Sequence, residues 1–475
     1  MTSQTADLFD KAADRAASYR NDLDKASPAA TATPAALRAA FGGPTPEAGC
    51  DAAAVIDALA DAAEPGLTNA ASGRFFGWVI GGSNPVGVAA DMLASAWGQN
   101  AGLYHCSPAA AAAEEAASAW LLDLLDLPRE SSVGFVTGAT MANFVGLAAA
   151  RGDVLARVGW DVEADGLCGA PRINLLVGAD AHSTVFQALG YLGLGRATAT
   201  VVATDAEGRM DADALEAALA ACDGPAIVIA QAGQINTGAL DPFDRIPALC
   251  KAAGAWLHVD GAFGLWARAC PERSHLARGL DQADSWATDG HKWLQTPYDC
   301  GFAIVRDRAA HKRAMAILAS YLPEDETVHQ PGHFTPELSR RARGFGVWSI
   351  FKTLGRTGVA DMIARHCAIA RRIATRLDAE PGLEVLNTVA LNQVALGVAA
   401  GAPADVQNAL ADAVIDEVQR ANRVFVGGAD WRGRRIIRVS VTSEAITEAD
   451  GDALVAEIIR AWRTAATERF IQPAA

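Results

Sequence analysis

Through the middle of the chain, short apolar runs alternate with stretches in which apolar residues recur every three or four positions. The runs lie at 134–138, 173–178, 199–204, 226–230, 255–260 and 301–307. Apolar runs of this length, without strict polar alternation, suit strands covered on both faces, and the stretches between them suit amphipathic helices. The alternation predicts an α/β fold around a mostly parallel sheet. Ahead of it, the Ala-rich run 108–127 brings Trp120, Leu121, Leu124 and Leu125 onto one stripe and predicts a helix. After about residue 310 the pattern changes to long charged helices, such as 359–378, and to apolar runs at 383–387, 391–398 and 435–441. That change predicts a smaller α+β domain. At the other end, a polar helix is followed by four prolines and three glycines within 28–50, which read as an extended arm or linker. The expected division is an N-terminal helical arm over 1–70, a large sheet domain over 71–310 and a small domain over 311–475.

Composition narrows the partners. At 51% hydrophobic and 20% charged residues, the 475-residue chain has ample apolar surface for two cores. The net charge is −15 and Lys and Arg form no cluster, so nucleic acid is excluded as the expected partner. Eight cysteines are scattered without a CxxC pair, which predicts no structural metal and thiols at home in a reducing cytoplasm. The first twenty residues mix acids and bases and lack the apolar core of a secretion signal. The richest apolar stretch carries Glu114, Glu115, Asp123 and Asp126 and is a poor membrane span. The reading is a soluble cytoplasmic protein.

Ligands of such sheets sit beyond the carboxyl ends of the strands, and four of these ends carry unusual residue types. The turn after 134–138 opens a helix through Gly138, Ala139 and Thr140, whose free N–H groups suit a phosphate, although many strand-to-helix turns need glycine. His182 follows the run 173–178, where a polar helix start explains it equally well. Asp260 ends an apolar strand and needs a cationic or N–H partner if buried. Lys292, among small and aromatic residues, suits either a nucleophilic amine or a lysine snorkelling from the core. Together the four meet the needs of pyridoxal 5′-phosphate: a phosphate cradle, a ring-stacking group, a carboxylate for the ring nitrogen and an amine for the Schiff base.

At HVDGAFG (258–264) and ADSWATDGHKW (283–293) the chain resembles the group II pyridoxal-phosphate-dependent amino-acid decarboxylases, from about Arg74 to Trp431. The resemblance implies the fold of the aspartate aminotransferase superfamily (fold type I). It implies that Lys292 carries the cofactor as a Schiff base, that Asp260 pairs with the ring nitrogen and that His182 stacks on the ring. Gly138, Ala139 and Thr140 match the phosphate turn, Ala262 the contact on the opposite ring face, and His291 the residue before the lysine. Gln231 stands where the family usually has Thr near the ring oxygen. The family also implies a homodimer with shared active sites and a mobile loop at the start of the small domain. Trp78, Asn100 and Tyr104 fall where relatives build the substrate pocket, and the aromatics suit a plain core equally.

Two departures bear on chemistry. Asp289 stands where many members carry Asn, and a carboxylate there would repel a phosphate unless it pointed elsewhere. The family's loop tyrosine, which protonates the carbanion, has no counterpart between Leu322 and Arg341; His329 and His333 are the candidate acids, or else solvated loop residues. The expected reaction is decarboxylation of an L-amino acid to an amine. The alternatives are an oxidative aldehyde-forming reaction, which Phe334 keeps open, a carbon–carbon lyase, a transaminase with Arg438 as carboxylate anchor, and a catalytically silent binding protein.

Overall fold

The computed structural model describes residues 2–317 and 327–471. Seven strands form the larger sheet: β1 Ser132–Val136, β2 Asn174–Gly178, β3 Thr200–Val202, β4 Ala226–Gln231, β5 Trp256–Asp260, β6 Ser285–Asp289 and β7 Gly301–Val305. Their order is β1-β7-β6-β5-β4-β2-β3. The pairings from β6 to β3 are parallel, and β7 runs antiparallel to both its neighbours. The expected α/β fold is present.

Successive residues serve opposite faces, which is why the strands read as continuous apolar runs. Val228 and Ala230 pack with Leu257, Val259 and Trp286 on one side. Ile227 and Ile229 pack with Trp256, Ala287 and Val305 on the other. The helix Ala139–Ala156 crosses this second face, and its Ala148, Ala149 and Ala150 permit a close approach.

β6 was not expected. Its sequence SWATD offers no apolar run, yet all five residues are buried. Tertiary hydrogen bonds meet its polar groups: Trp286 Nε1 donates to Leu280 O at 2.9 Å, and Ser285 Oγ accepts from Trp256 Nε1 at 2.9 Å.

The smaller sheet comprises β8 Leu383–Val385, β9 Gln393–Val398, β10 Gly427–Trp431 and β11 Arg434–Ser440 in the order β10-β11-β9-β8. It is antiparallel throughout and packs with the helices Ala404–Ala421 and Glu448–Ile471 around a separate core. β10 was also unexpected; Arg432 and Gly433, at φ 52° and 76°, form the tight turn that folds it onto β11.

Helix Arg343–Asp378 begins well before the expected 359 and breaks at Gly355 (φ 60°, ψ −176°). Its ends link the two cores: Val347, Ile350 and Phe351 join the first, Ile369 and Ile373 the second. The segment just after residue 70 also crosses between domains, since Phe76 N–H donates to Phe425 O and Ser440 N–H to Phe76 O.

Within 28–50, expected to be extended, lies the helix Pro34–Phe41. Thr33 caps it and Pro34 occupies the first turn, where its missing N–H does no harm. Glu114, one of the charges in the Ala-rich helix Pro108–Leu124, is buried against Arg340, with Nη2 at 3.2 and 3.3 Å from its oxygens. Arg340 also donates to Ala101 O and Phe135 O, each at 2.7 Å, and so pins the segment before residue 341 to β1. Among the described residues no helix is long and apolar enough to cross a membrane. None of their His, Cys, Asp and Glu groups is arranged to hold a metal ion.

Candidate active site

The ends of β4, β5 and β6 and the start of the helix Ala139–Ala156 converge at one edge of the sheet. Asp260, at the end of β5, is 4% exposed. Its Oδ1 accepts the Ala262 N–H and its Oδ2 the Asn143 side-chain amide, both at 3.2 Å. Behind Asn143 runs a buried chain of hydrogen bonds. Asn143 Oδ1 lies 2.9 Å from His258 Nε2, and His258 Nδ1 lies 2.8 Å from Ser285 Oγ. The Asp260 carboxylate offers only acceptors, so the Asn143 amide turns Nδ2 to it and Oδ1 to His258; the imidazole proton therefore lies on Nε2, and Nδ1 accepts from the Ser285 hydroxyl, whose oxygen also accepts the Trp256 indole N–H. Burial pushes the His258 imidazole down to about 3, so the ring is neutral and the direction of the chain is fixed. Asn143 escaped the sequence reading; its one signal is a polar residue on the sheet-facing stripe of an otherwise Ala-rich helix.

Lys292 follows β6 and places Nζ 3.0 Å from Asp289 Oδ2. Asp289 Oδ1 accepts the Ala139 N–H at 2.6 Å and lies 3.5 Å from His291 Nε2. The departing carboxylate therefore faces the phosphate turn instead of pointing elsewhere. Gly138 precedes the helix at φ 156° with no side-chain cap. A Cβ there would lie 2.9 Å from His291 Cε1, and one on Gly301 would lie 2.5 Å from Gly138 Cα. Only bare backbone fits this turn. Thr140 is half-buried on the first turn of the same helix. His291 Nδ1 accepts the Cys300 N–H, and its ring lies 4.5 Å from that of Tyr298, centroid to centroid. Burial lowers its pKa, against the opposing pull of Asp289.

His182 caps the helix Ser183–Tyr191 by accepting the Thr184 N–H on Nδ1, which leaves its proton on Nε2. Burial lowers its pKa, and among nearby charges Lys292 and Arg438 push the same way while Asp260 and Asp289 oppose. Arg438, expected to be half-exposed on its strand, is 8% exposed. Its Nη1 donates to Asn236 Oδ1 at 3.3 Å, and among the described residues no carboxylate pairs with it. Gln231 ends β4 directly opposite Asp260, and its N–H donates to Asp241.

The remaining candidates divide. Trp78, 49% exposed at φ 48°, packs on Phe75 and Phe425. Its segment lies on the lysine turn, with Gly81 N–H donating to His291 O and Gly82 N–H to Gln295 Oε1. Asn100 Oδ1 is occupied by the N–H groups of Gly102 and Arg340. Tyr104 N–H donates to Gln330 Oε1, and its ring meets that of His105 edge-on. His329 and His333 gather around buried Phe334, whose face also holds Arg308. Burial, aided by Arg308, Arg340 and His333, pushes His329 down to about 4. The stretch 318–326 of the expected loop, with Tyr321, lies outside the described residues.

Comparison with known proteins identifies the family. Residues 34–398 match the family model of the pyridoxal-dependent decarboxylase conserved domain. The chain is 29% identical to tryptophan decarboxylase 1 of Oryza sativa subsp. japonica over 405 residues, covering 80% of this chain and 78% of that protein. It is 33% identical to L-2,4-diaminobutyrate decarboxylase of Rhizobium meliloti (strain 1021) over 348 residues, 70% of this chain and 67% of that one. A solved structure of Oryza sativa TDC with PLP and tryptamine superposes with a TM-score of 0.90 at 23% identity, covering 98% of both chains.

Proposed function

The chain belongs to the pyridoxal-dependent decarboxylase family, and from that premise we propose that it decarboxylates an L-amino acid at the pocket around Lys292. The cofactor is pyridoxal phosphate. The residues present fit it: a bare-backbone turn at a helix N-terminus, a buried carboxylate at a strand end and a half-buried amine meet at one edge of the sheet. Pyridoxal phosphate supplies an aldehyde that captures amines and a protonated ring that takes up the electrons freed when a carboxylate leaves as carbon dioxide.

Each residue then has a task. Lys292 would hold the cofactor through its aldehyde carbon, the position at which a substrate amine would take the lysine's place. Asp260, held by two neutral donors, would accept the ring N–H of the cofactor. His182 offers a neutral ring, which can lie against a cationic ring without repulsion. Gly138, Ala139 and Thr140 receive the phosphate at the positive end of their helix, beside His291. Ala262 leaves room on the opposite ring face, and Gln231 is placed for the ring oxygen. Trp78, exposed on the segment that lies against the lysine turn, is a candidate substrate contact. Met92, Leu93 and Trp97, exposed on the helix Pro85–Trp97, support assembly as a homodimer.

The observation that carries the reading is geometric: the Lys292 amine meets Asp289, which takes the Ala139 N–H of the bare-backbone turn at Gly138, while Asp260 stands buried at the neighbouring strand end. Borohydride reduction of the protein with pyridoxal phosphate, followed by peptide mass analysis, should place the cofactor on Lys292. Lys292→Ala should lose both the adduct and turnover; an active Lys292→Ala protein would overturn the assignment. Arg438 favours a second reading, transamination, because a buried guanidinium without a carboxylate is a ready anchor for one. Aerobic incubation with the standard amino acids separates the outcomes: amine with carbon dioxide, aldehyde with peroxide, or keto acid.

A further inference from the structure

The turn that suits a phosphate already holds an anion of the chain's own. Asp289 is 2% exposed, and its Oδ1 takes the Ala139 N–H at 2.6 Å. The same oxygen lies 3.2 Å from the Cβ position of Gly138, so it occupies the space that the missing side chain leaves open. Oδ2 meets the Lys292 amine at 3.0 Å. This carboxylate is thus satisfied by the two groups that a phosphorylated aldehyde needs, a helix N-terminal amide and the reactive amine. Resting on the reading of Lys292 as the cofactor lysine, we propose that Asp289 is an internal counter-anion that must yield the Ala139 amide to the entering phosphate. It thereby sets how strongly the chain prefers phosphorylated over unphosphorylated pyridoxal.

The argument is electrostatic. A carboxylate and a phosphate cannot share one amide in a buried pocket without strong repulsion, whereas an aldehyde lacking the phosphate meets no such opposition. An amide side chain at this position keeps the shape, removes the repulsion and can donate to a phosphate oxygen. A carboxylate that served only as a helix cap would affect both aldehydes alike.

The test uses the full-length apo protein and its Asp289→Asn variant, each titrated with pyridoxal phosphate and with pyridoxal while absorbance of the lysine adduct is followed. Loss of the ion pair alters the Lys292 amine in both titrations, so the ratio of the two dissociation constants isolates the phosphate. The preference for pyridoxal phosphate should rise about ten- to a hundred-fold in the variant, equivalent to about 1.4 to 2.8 kcal/mol. A preference unchanged within about threefold, or reduced, would overturn the proposal. Asp289→Ser serves the same comparison if the amide variant does not fold. Absence of any adduct in the wild-type chain with either aldehyde would instead refute the reading of Lys292.

Discussion

Asn143→Asp tests the direction of the buried chain that ends on Asp260. The substitution keeps the side-chain shape and opens no cavity. Its Oδ1 still accepts from His258, and the second oxygen replaces the donor that lies 3.2 Å from Asp260 Oδ2. Two ionised carboxylates at that separation repel by about 332/(20 × 3.2), or roughly 5 kcal/mol, at an effective dielectric of 20. The folded protein has a cheaper route at neutral pH, which is to bind one proton between the two oxygens. Against an unfolded carboxyl near pKa 3.9, holding that proton at pH 7 costs about 1.36 × 3.1, or roughly 4 kcal/mol. The folded variant then binds one more proton than the unfolded chain, so its stability falls by about 1.4 kcal/mol per pH unit as pH rises above the unfolded pKa. Urea unfolding of the apo forms should show a penalty relative to wild type that grows by about 3 kcal/mol between pH 5 and pH 7. A penalty below about 1 kcal/mol, or one that does not change with pH, would mean that Asn143 presents its oxygen to Asp260, and the deduced hydrogen-bond direction would fall.

Two further outcomes concern the scaffold. Arg340→Met strands the Glu114 carboxylate, which burial already pushes upward in pKa, and should cost about 3 to 5 kcal/mol in urea unfolding. Glu114→Leu combined with Arg340→Met should recover most of that loss, and a single variant as stable as wild type would deny the pair its anchoring role. Gly355→Ala meets no neighbour, so its loss of about 1 to 3 kcal/mol should come from the backbone alone, and Gly355→Asn should lose as much, because φ 60° with ψ −176° lies outside the left-handed helical region that Asn tolerates.

The sheet was legible where both faces of a strand are apolar, because burial on both sides writes a continuous run. It was not legible at β6, where Ser285, Thr288 and Asp289 are buried through hydrogen bonds to groups that adjoin them only after folding. The first half of the helix Arg343–Asp378 was hidden by Gly344, Gly346 and Gly358, whose low helix propensity is overridden by packing, and by Gly355, where the helix does break. Lys292, Asp260 and His182 could be singled out because each is a chemically costly residue type at a strand end. The burial of Arg438, the turn of Asp289 onto Ala139 and the support of Asp260 by Asn143 could not, since each depends on segments far apart in sequence.

Two carboxylates share the pocket, and their partners give them opposite characters. Asp260 is held by an amide N–H and a side-chain amide, both neutral, and among the described residues no cation lies within ion-pair distance of it. Its negative charge is therefore fixed in place and left for a cation to join, as a protonated ring nitrogen would. Asp289 is held by a cation, Lys292, together with the positive end of a helix. Its charge is already balanced, and anything that engages the amine or the helix end unbalances it. Burial keeps His182 and His291 from supplying a compensating charge near neutrality, because it lowers both their pKa values. Among the described residues Arg438 is a buried cation with which no carboxylate pairs. On the proposed reading an anionic substrate would find a partner there, while an entering phosphate would have to compete with Asp289 for the Ala139 amide.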